Sequence, residues 1–174
     1  KMINATDDFL EVLKKPKHGY GTNMNPCIDC RILFFRRSKE LMEQLGAAFI
    51  ITGEVLGQRP MSQHKRQMDI IEKEAGLEGF VVRPLSAKLL PPTIPEKMGW
   101  IDRERLLNIE GRSRRIQIAL AKEFGINDYP CAAGGCLLTD AGFAQKVKDL
   151  IIHDELNLSN IQLIKAGRYF RFSK

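Results

Sequence analysis

Four cysteines set the first chemical question. They stand as two close pairs, Cys27-Ile-Asp-Cys30 and Cys131-Ala-Ala-Gly-Gly-Cys136. Nothing in the chain looks secreted, so such pairs read as a metal, cluster or redox site rather than as disulfides. The first pair follows Asn25-Pro26 at the expected entrance of a helix. Unpaired N–H groups and partial positive charge there stabilise thiolates, and Arg31, Arg36 and Arg37 add cationic bias. Two thiolates at C-x2-C spacing can grip one metal ion or one face of an iron–sulfur cluster, and the same spacing serves thiol–disulfide exchange. A structural zinc site would want two more Cys or His, which Cys131 and Cys136 could supply, whereas a cluster with an open iron needs three ligands.

A second group is Thr52-Gly53-Glu54-Val55-Leu56-Gly57-Gln58, directly after an apolar run of strand length. In a parallel α/β sheet ligands bind beyond the carboxyl ends of strands, where glycines let the backbone approach them. Neither G-x-x-x-x-G-K-[ST] nor G-x-G-x-x-G occurs, so the P-loop and dinucleotide fingerprints are missing from these residues. Basic residues cluster at Arg36-Arg37, Lys65-Arg66, Arg112 with Arg114-Arg115, and in the tail at Lys165, Arg168, Arg171 and Lys174. With Tyr169, Phe170 and Phe172 nearby, they suit an RNA phosphate surface, although a solvated helix face explains any single cluster.

C-R-I-L-F-F-R-R from Cys30, T-G-E-V-L-G-Q from Thr52 and Ser62-Gln63 together resemble the catalytic domain of tRNA 4-thiouridine synthases. Arg83-Pro84-Leu85, Ile101-Asp102-Arg103-Glu104, Gly125-Ile126 and Tyr129-Pro130 before a late cysteine continue that resemblance. The Asn-Pro-Cys27-x-x-Cys30 entrance also resembles tRNA 2-thiouridylases. Both groups belong to the PP-loop, or adenine nucleotide α-hydrolase-like, superfamily, some of whose members carry names derived from tRNA methyltransferase. The resemblance implies a Rossmann-like parallel sheet with flanking helices, activation of a tRNA uridine by ATP with Mg2+, and delivery of sulfur by a donor. It assigns Thr52, Gly53, Glu54 and Gln58 to the nucleotide and uridine pocket, and Cys27 and Cys136 to catalysis. Through the cluster-dependent branch it assigns Cys27, Cys30 and Cys136 to a [4Fe–4S] cluster with one iron open to sulfide. The three thiols are then expected to converge, with Gly134-Gly135 admitting close backbone approach and Cys131 outside the ligand set. RNA contacts are expected from Arg36, Arg37, Lys65, Arg66, Arg112, Arg114 and Arg115. Two readings compete: a zinc-stabilised RNA-binding domain without activity, and a cluster-free persulfide relay through Cys136. The S-G-G-x-D-S pyrophosphate loop of the superfamily is not among the residues, and the expected sheet lacks its first strand or two.

The elements that must position these groups follow from periodicity and caps. Residues 6–14 read as a helix capped by Thr6 or Asp7, and a second helix spans about 28–45, with Phe34, Leu41 and Leu45 inward. Ala47 to Thr52 and Phe80 to Val82 are continuous apolar runs, as in parallel strands covered on both faces. Between them Met61 opens a helix whose apolar stripe includes His64, read as a packed histidine. Residues 84–99, rich in proline, form an irregular connection. Asp102 caps 103–109, and Ser113 caps a helix burying Ile116, Leu120 and Phe124. Residues 129–138 are loop. Thr139 or Asp140 caps a helix with Phe143, Val147, Leu150 and Ile151 inward, and two strands, 161–164 and 169–172, close the chain. The expected division is a partial catalytic domain over 1–152 and a short β-containing segment over 153–174.

Composition agrees with this reading. The 174 residues are 44% hydrophobic and 28% charged, ordinary values for a globular domain that buries its own core. Lys and Arg number 27 against 21 Asp and Glu, a net charge of +6 that fits an anionic partner such as tRNA. No apolar run reaches membrane-span length and no signal-peptide core is evident, so the expected location is cytoplasmic, with no membrane partner and a homodimer allowed.

Overall fold

The computed structural model describes residues 2–129 and 135–172. The chain divides into two compact units, one formed by 1–30 with 135–174 and the other by 31–134. The expected boundary after residue 152 is not where they part.

The first unit is helical. Helix α1 (Thr6–Lys14) matches its expected span, but the Asn4 side chain, not Thr6 or Asp7, caps it by accepting the Thr6 N–H at 3.0 Å. Helix α2 (Cys27–Gln44) starts here and continues past Cys30 into the second unit. Among the later helices, Asp140 caps α6 (Ala141–Ile152) through the Phe143 N–H at 2.7 Å. Leu13 of α1, Met24, Leu138, Val147 and Leu150 of α6, Leu156 and Ile164 make one continuous apolar core. Each such buried side chain contributes about 1.5–3 kcal/mol relative to exposure.

The two terminal strands are not formed. Residues 158–166 are instead helix α7 (Leu158–Ala166), capped by Asn157 accepting the Asn160 N–H at 2.9 Å. Ile161 and Ile164, three apart, fall on one helical face toward the core. Residues 168–172 are irregular and are held by side chains: Tyr169 Oη donates to Asp149, and Arg171 donates to Asp149 at 2.7 Å and Glu155 at 2.8 Å.

The second unit contains a parallel strand pair. Strand β1 (Ile50–Ile51) lies beside β2 (Val81–Val82) with Ile50 opposite Val81 and Ile51 opposite Val82. Parallel neighbours need a long crossover, here carrying α3 (Lys65–Ala75) with Met68, Ile71 and Ala75 buried. Gly76 ends α3 at φ 66°, in the left-handed region that a C-terminal cap favours. Among the described residues this pair is the sheet, so the architecture is mixed and compatible with α/β. Val81 and Val82 are buried as expected, whereas Ile51 is 62% exposed, so β1 is not covered on both faces.

Other inward faces differ from the periodic expectation. In α2 the buried pair is Ile32 and Phe35, while Phe34 and Leu45 are exposed; of two adjacent phenylalanines a helix turns only one inward. His64 is exposed as the residue before α3, because the chain folds back there, with Gly57 N–H donating to the Gln63 carbonyl at 2.6 Å. The connection 84–99 holds only a 3-10 turn and the four-residue α4 (Ile94–Lys97). Asp102 caps a 3-10 turn over Arg103–Arg105 rather than a longer helix. Helix α5 (Arg115–Glu123) leaves Ile116 at 56% and Phe124 at 70% exposure, opposite to expectation.

Candidate functional site

In the first unit, Pro26 is buried immediately before Cys27, the first residue of α2, and Cys30 N–H closes the first turn onto the Pro26 carbonyl at 2.8 Å. The preceding loop is pinned by Asp29, whose carboxylate accepts the N–H groups of Lys17 and His18 at 3.1 and 2.9 Å. Tyr20 Oη donates to the Leu13 carbonyl at 2.5 Å, and its burial raises its pKa above the ordinary phenol value. The stretch before Cys27 is stitched to the stretch after Cys136: Met24 N–H donates to the Leu138 carbonyl at 3.2 Å, and Asn23 Nδ2 to the Thr139 carbonyl at 2.8 Å.

Cys27, Cys30 and Cys136 therefore belong to one unit, each half-buried, with Cys136 packed against the apolar core. Cys131 and Gly134 lie outside the described residues. Among the described residues no three of His, Cys, Asp and Glu are grouped to hold a metal ion. A [4Fe–4S] cluster needs three thiolates on one cube, and a structural zinc ion four ligands.

The second unit turns T-G-E-V-L-G-Q into one wall of a cavity. Thr52 N–H ends the strand pairing on the Val82 carbonyl at 3.0 Å. Glu54 then turns inward, its side chain only 3% exposed, where Arg83 Nε donates to it at 3.0 Å and Arg31 Nη2 also binds it. Arg83 reaches on to Glu72, and the Arg31 guanidinium lies 5.2 Å over the Phe35 ring. Two cations and two carboxylates thus form one alternating chain, buried at Glu54 and Arg83, where charges are tolerable because each is paired. Val55 is fully buried behind it. The following residues hang on Ser86, whose hydroxyl accepts the Leu56 N–H at 2.9 Å and donates to the Ile109 carbonyl at 2.6 Å. Leu56 also pairs with Glu110, and Gly111 N–H donates to the Leu56 carbonyl at 2.8 Å.

The resulting cavity has a volume of about 280 Å³. Gly53, Val55 and Gln58 line one side, and Arg114, Gln117, Ile118 and Ala121 another. The latter four recur at i, i+3, i+4 and i+7, one face of α5 and its cap residue. Of the four residues assigned here from sequence, Gly53 and Gln58 reach the cavity; the Thr52 N–H is spent in the sheet and the Glu54 carboxylate on two arginines. Gln117, Leu85 and Tyr129 were not singled out as site residues; the spacing of Arg114, Gln117, Ile118 and Ala121 was the available signal. Both amide atoms of Gln117 are buried without a hydrogen-bond partner. Ser62 Oγ, Gln63 Oε1, Arg31 Nε and Arg83 Nη2 are buried in the same state.

The expected RNA-contacting residues fall into two groups. Arg36 donates to the Glu74 carbonyl at 3.1 Å and Arg37 to Glu40 at 2.8 Å, so both have intramolecular acceptors. Lys65 and Arg66 are exposed in the first turn of α3, Arg112 and Arg115 are exposed, and Arg114 is half-buried at the cavity. A second cavity of about 240 Å³ is lined by Asp69, Glu72, Glu78 and Glu96 with Arg83. There burial alone would raise the Glu96 carboxyl, but hydrogen bonds from Thr93 and Arg103 outweigh it and hold the pKa below the usual carboxylate range.

No described helix is long and apolar enough to cross a membrane. No family model matches the chain, and no solved structure matches it. The chain is similar to the tRNA-specific 2-thiouridylase MnmA of Xanthobacter autotrophicus, 27% identical over 146 residues that cover 80% of this chain and 34% of that protein; the chain thus spans about a third of the length of the curated relative it matches.

Proposed function

We propose that this chain is part of a tRNA-modifying sulfurtransferase that thiolates a uridine. The observation that carries the reading is the cavity beyond the carboxyl end of β1, lined by Gly53 and Gln58 of T-G-E-V-L-G-Q and by Arg114. The chain that builds it is distantly similar to a protein named for tRNA 2-thiouridylation. A cavity with apolar walls, one cation and no acidic lining residue suits an anionic nucleotide with a flat base. The neighbouring Arg112 and Arg115, with Lys65 and Arg66, supply phosphate contacts that orient the RNA. In the first unit, Cys27, Cys30 and Cys136 are the sulfur-handling thiols, Cys27 standing at the N-terminal end of α2. ATP with Mg2+ is the expected activator of the base oxygen, although the Thr52 N–H and the Glu54 carboxylate are engaged within the fold.

The test is the thionucleoside content of tRNA. Total tRNA is digested and its nucleosides are separated by mass from cells with the native gene, without it, and with Cys27→Ser or Cys136→Ser. One thiouridine species should vanish with the gene, return with the native copy and stay missing with either variant. An unchanged thionucleoside profile in the cells without the gene would overturn the reading.

A further inference from the structure

Among the described residues, the side chain of Gln117 stands apart from the other buried polar groups in carrying two unpartnered atoms. Both of its amide atoms are buried and neither has a hydrogen-bond partner, although buried polar groups in folded proteins are paired in the great majority of cases. It sits in the first turn of α5 and belongs to a residue that lines the 280 Å³ cavity. A carboxamide offers one acceptor and one donor side by side in a plane. The groups that complement it are planar too, with an N–H beside a carbonyl or a ring nitrogen, as on the edges of nucleobases.

The rest of the lining agrees with a flat occupant. Leu85, Ile118 and Ala121 present apolar surface, and Tyr129, 47% exposed, is an aromatic ring at the same cavity. Bases removed from a stack are held by hydrogen bonds on their Watson–Crick edge and by apolar or aromatic faces on either side. The volume lies just below the range of about 300–1,000 Å³ usual for ligand pockets, which limits the occupant to about one nucleoside. Arg114 is the single charged residue of the lining and meets the need of one phosphate.

We propose that Gln117 reads the target base: its Nε2 donates to a carbonyl of a flipped-out uracil while its Oε1 accepts the N3–H. Arg114 holds the phosphate of the same nucleotide. The assignment deepens the uridine-thiolation reading and rests on it for the choice of uracil. Uracil has two carbonyls flanking N3, so pairing with one leaves the other open to the chemistry. An adenine could present a donor and an acceptor to the same amide, and the experiment separates the two bases.

The probes are 5′-UMP, uridine and 5′-AMP, titrated into the native protein and followed through the side-chain amide resonances of Gln117 and by calorimetry. UMP should shift the Gln117 NH2 signals and bind more tightly than AMP. Gln117→Leu should weaken UMP about tenfold or more, the loss of one bidentate pair. Gln117→Glu should weaken it comparably, because a carboxylate accepts the N3–H but offers no donor to the carbonyl. Arg114→Ala should weaken UMP while leaving uridine unchanged. The retained far-UV circular dichroism of Gln117→Leu, and the Gln117→Glu variant beside it, keep a folding defect from imitating the result. Equal UMP affinity in the native protein and both Gln117 variants would overturn the proposal, and so would AMP binding more tightly than UMP through Gln117. UMP binding that depends on Gln117, in a protein whose loss leaves tRNA thiolation intact, would uphold the base-reading site and overturn the thiolation reading alone.

Discussion

The two units handle polar side chains in opposite ways. In the first, the polar cluster on α6 is closed: Asp149 accepts Tyr169 and Arg171, and Arg171 also reaches Glu155. Among the described residues of that unit no buried side-chain nitrogen or oxygen lacks a partner. The second unit holds all six such atoms found among the described residues, on Arg31, Ser62, Gln63, Arg83 and Gln117. Each orphan costs about 1–3 kcal/mol of desolvation without return. The difference teaches where stability has been maximised and where it has been yielded. Two of the six atoms belong to Gln117, the one orphan-bearing residue that lines the 280 Å³ cavity, where unpartnered groups would suit something the folded chain does not itself contain.

The largest effect that could break this contrast lies at Glu54. Glu54→Ala strands Arg31 and Arg83 and should destabilise the second unit by about 3–5 kcal/mol, the cost of removing one partner from a buried pair. The chain's single tryptophan, Trp100, lies in that unit, stacked on Phe49 at 6.2 Å, so its fluorescence in a urea titration reports the loss. An effect below that of an ordinary surface substitution would show the charge chain to be dispensable.

Next comes Gln117→Leu, which sharpens the contrast by reversing the usual sign. Removing two orphan atoms from a buried position should leave the protein as stable or raise its stability by about 1 kcal/mol. The thermal midpoint, read again through Trp100, should not fall. A clear loss would mean that the amide is satisfied in the folded protein.

Acid supplies a third test. The Glu96 carboxyl is held below its ordinary value by Thr93 and Arg103, so its stabilisation is complete above the ordinary carboxylate pKa and is lost as pH falls through the depressed folded value. Glu96→Gln should therefore be destabilising near neutral pH, and the gap between variant and native stability should close in strong acid. A gap constant with pH would remove Glu96 from the acid response.

The smallest effect belongs to the closed network. Hydrogen bonds from Arg171 and Tyr169 lower the Asp149 pKa, and the same contacts raise those of Tyr169 and Arg171. These groups are solvent-screened, so Asp149→Asn should lower the melting midpoint only slightly, and about 1 M salt should abolish the difference. A large salt-independent loss would place Asp149 in the structural core instead.

Local signals made part of this legible in advance. Helix α1, the parallel runs at residues 50–51 and 81–82 and the Asp140 cap follow from periodicity and capping chemistry. Residues 161–164 misled because four residues satisfy a strand pattern and a helical face equally, and the Asn157 cap decides. The inward face of α5 was misassigned because apolar character was taken to mean burial, whereas Gln117 and Arg114 occupy the face that lines the cavity. Gly53 and Gln58, assigned through the family resemblance alone, line the cavity. The partners of Glu54 were not, since Arg31 and Arg83 lie 23 and 29 residues away in sequence and only tertiary packing unites them.

Ser86 gives this architecture a genetic signature. Fully buried, with no place in the cavity lining, it offers one acceptor to Leu56 and one donor to the Ile109 carbonyl. Alanine and valine offer neither, and cysteine only weakly. A selection for inactive variants should return position 86 together with the cavity-lining positions 53, 58 and 117, although its side chain lies outside that lining. Ranked by tolerance alone, this serine would pass for a catalytic residue; its real office is architectural, a hook on which one wall of the cavity hangs.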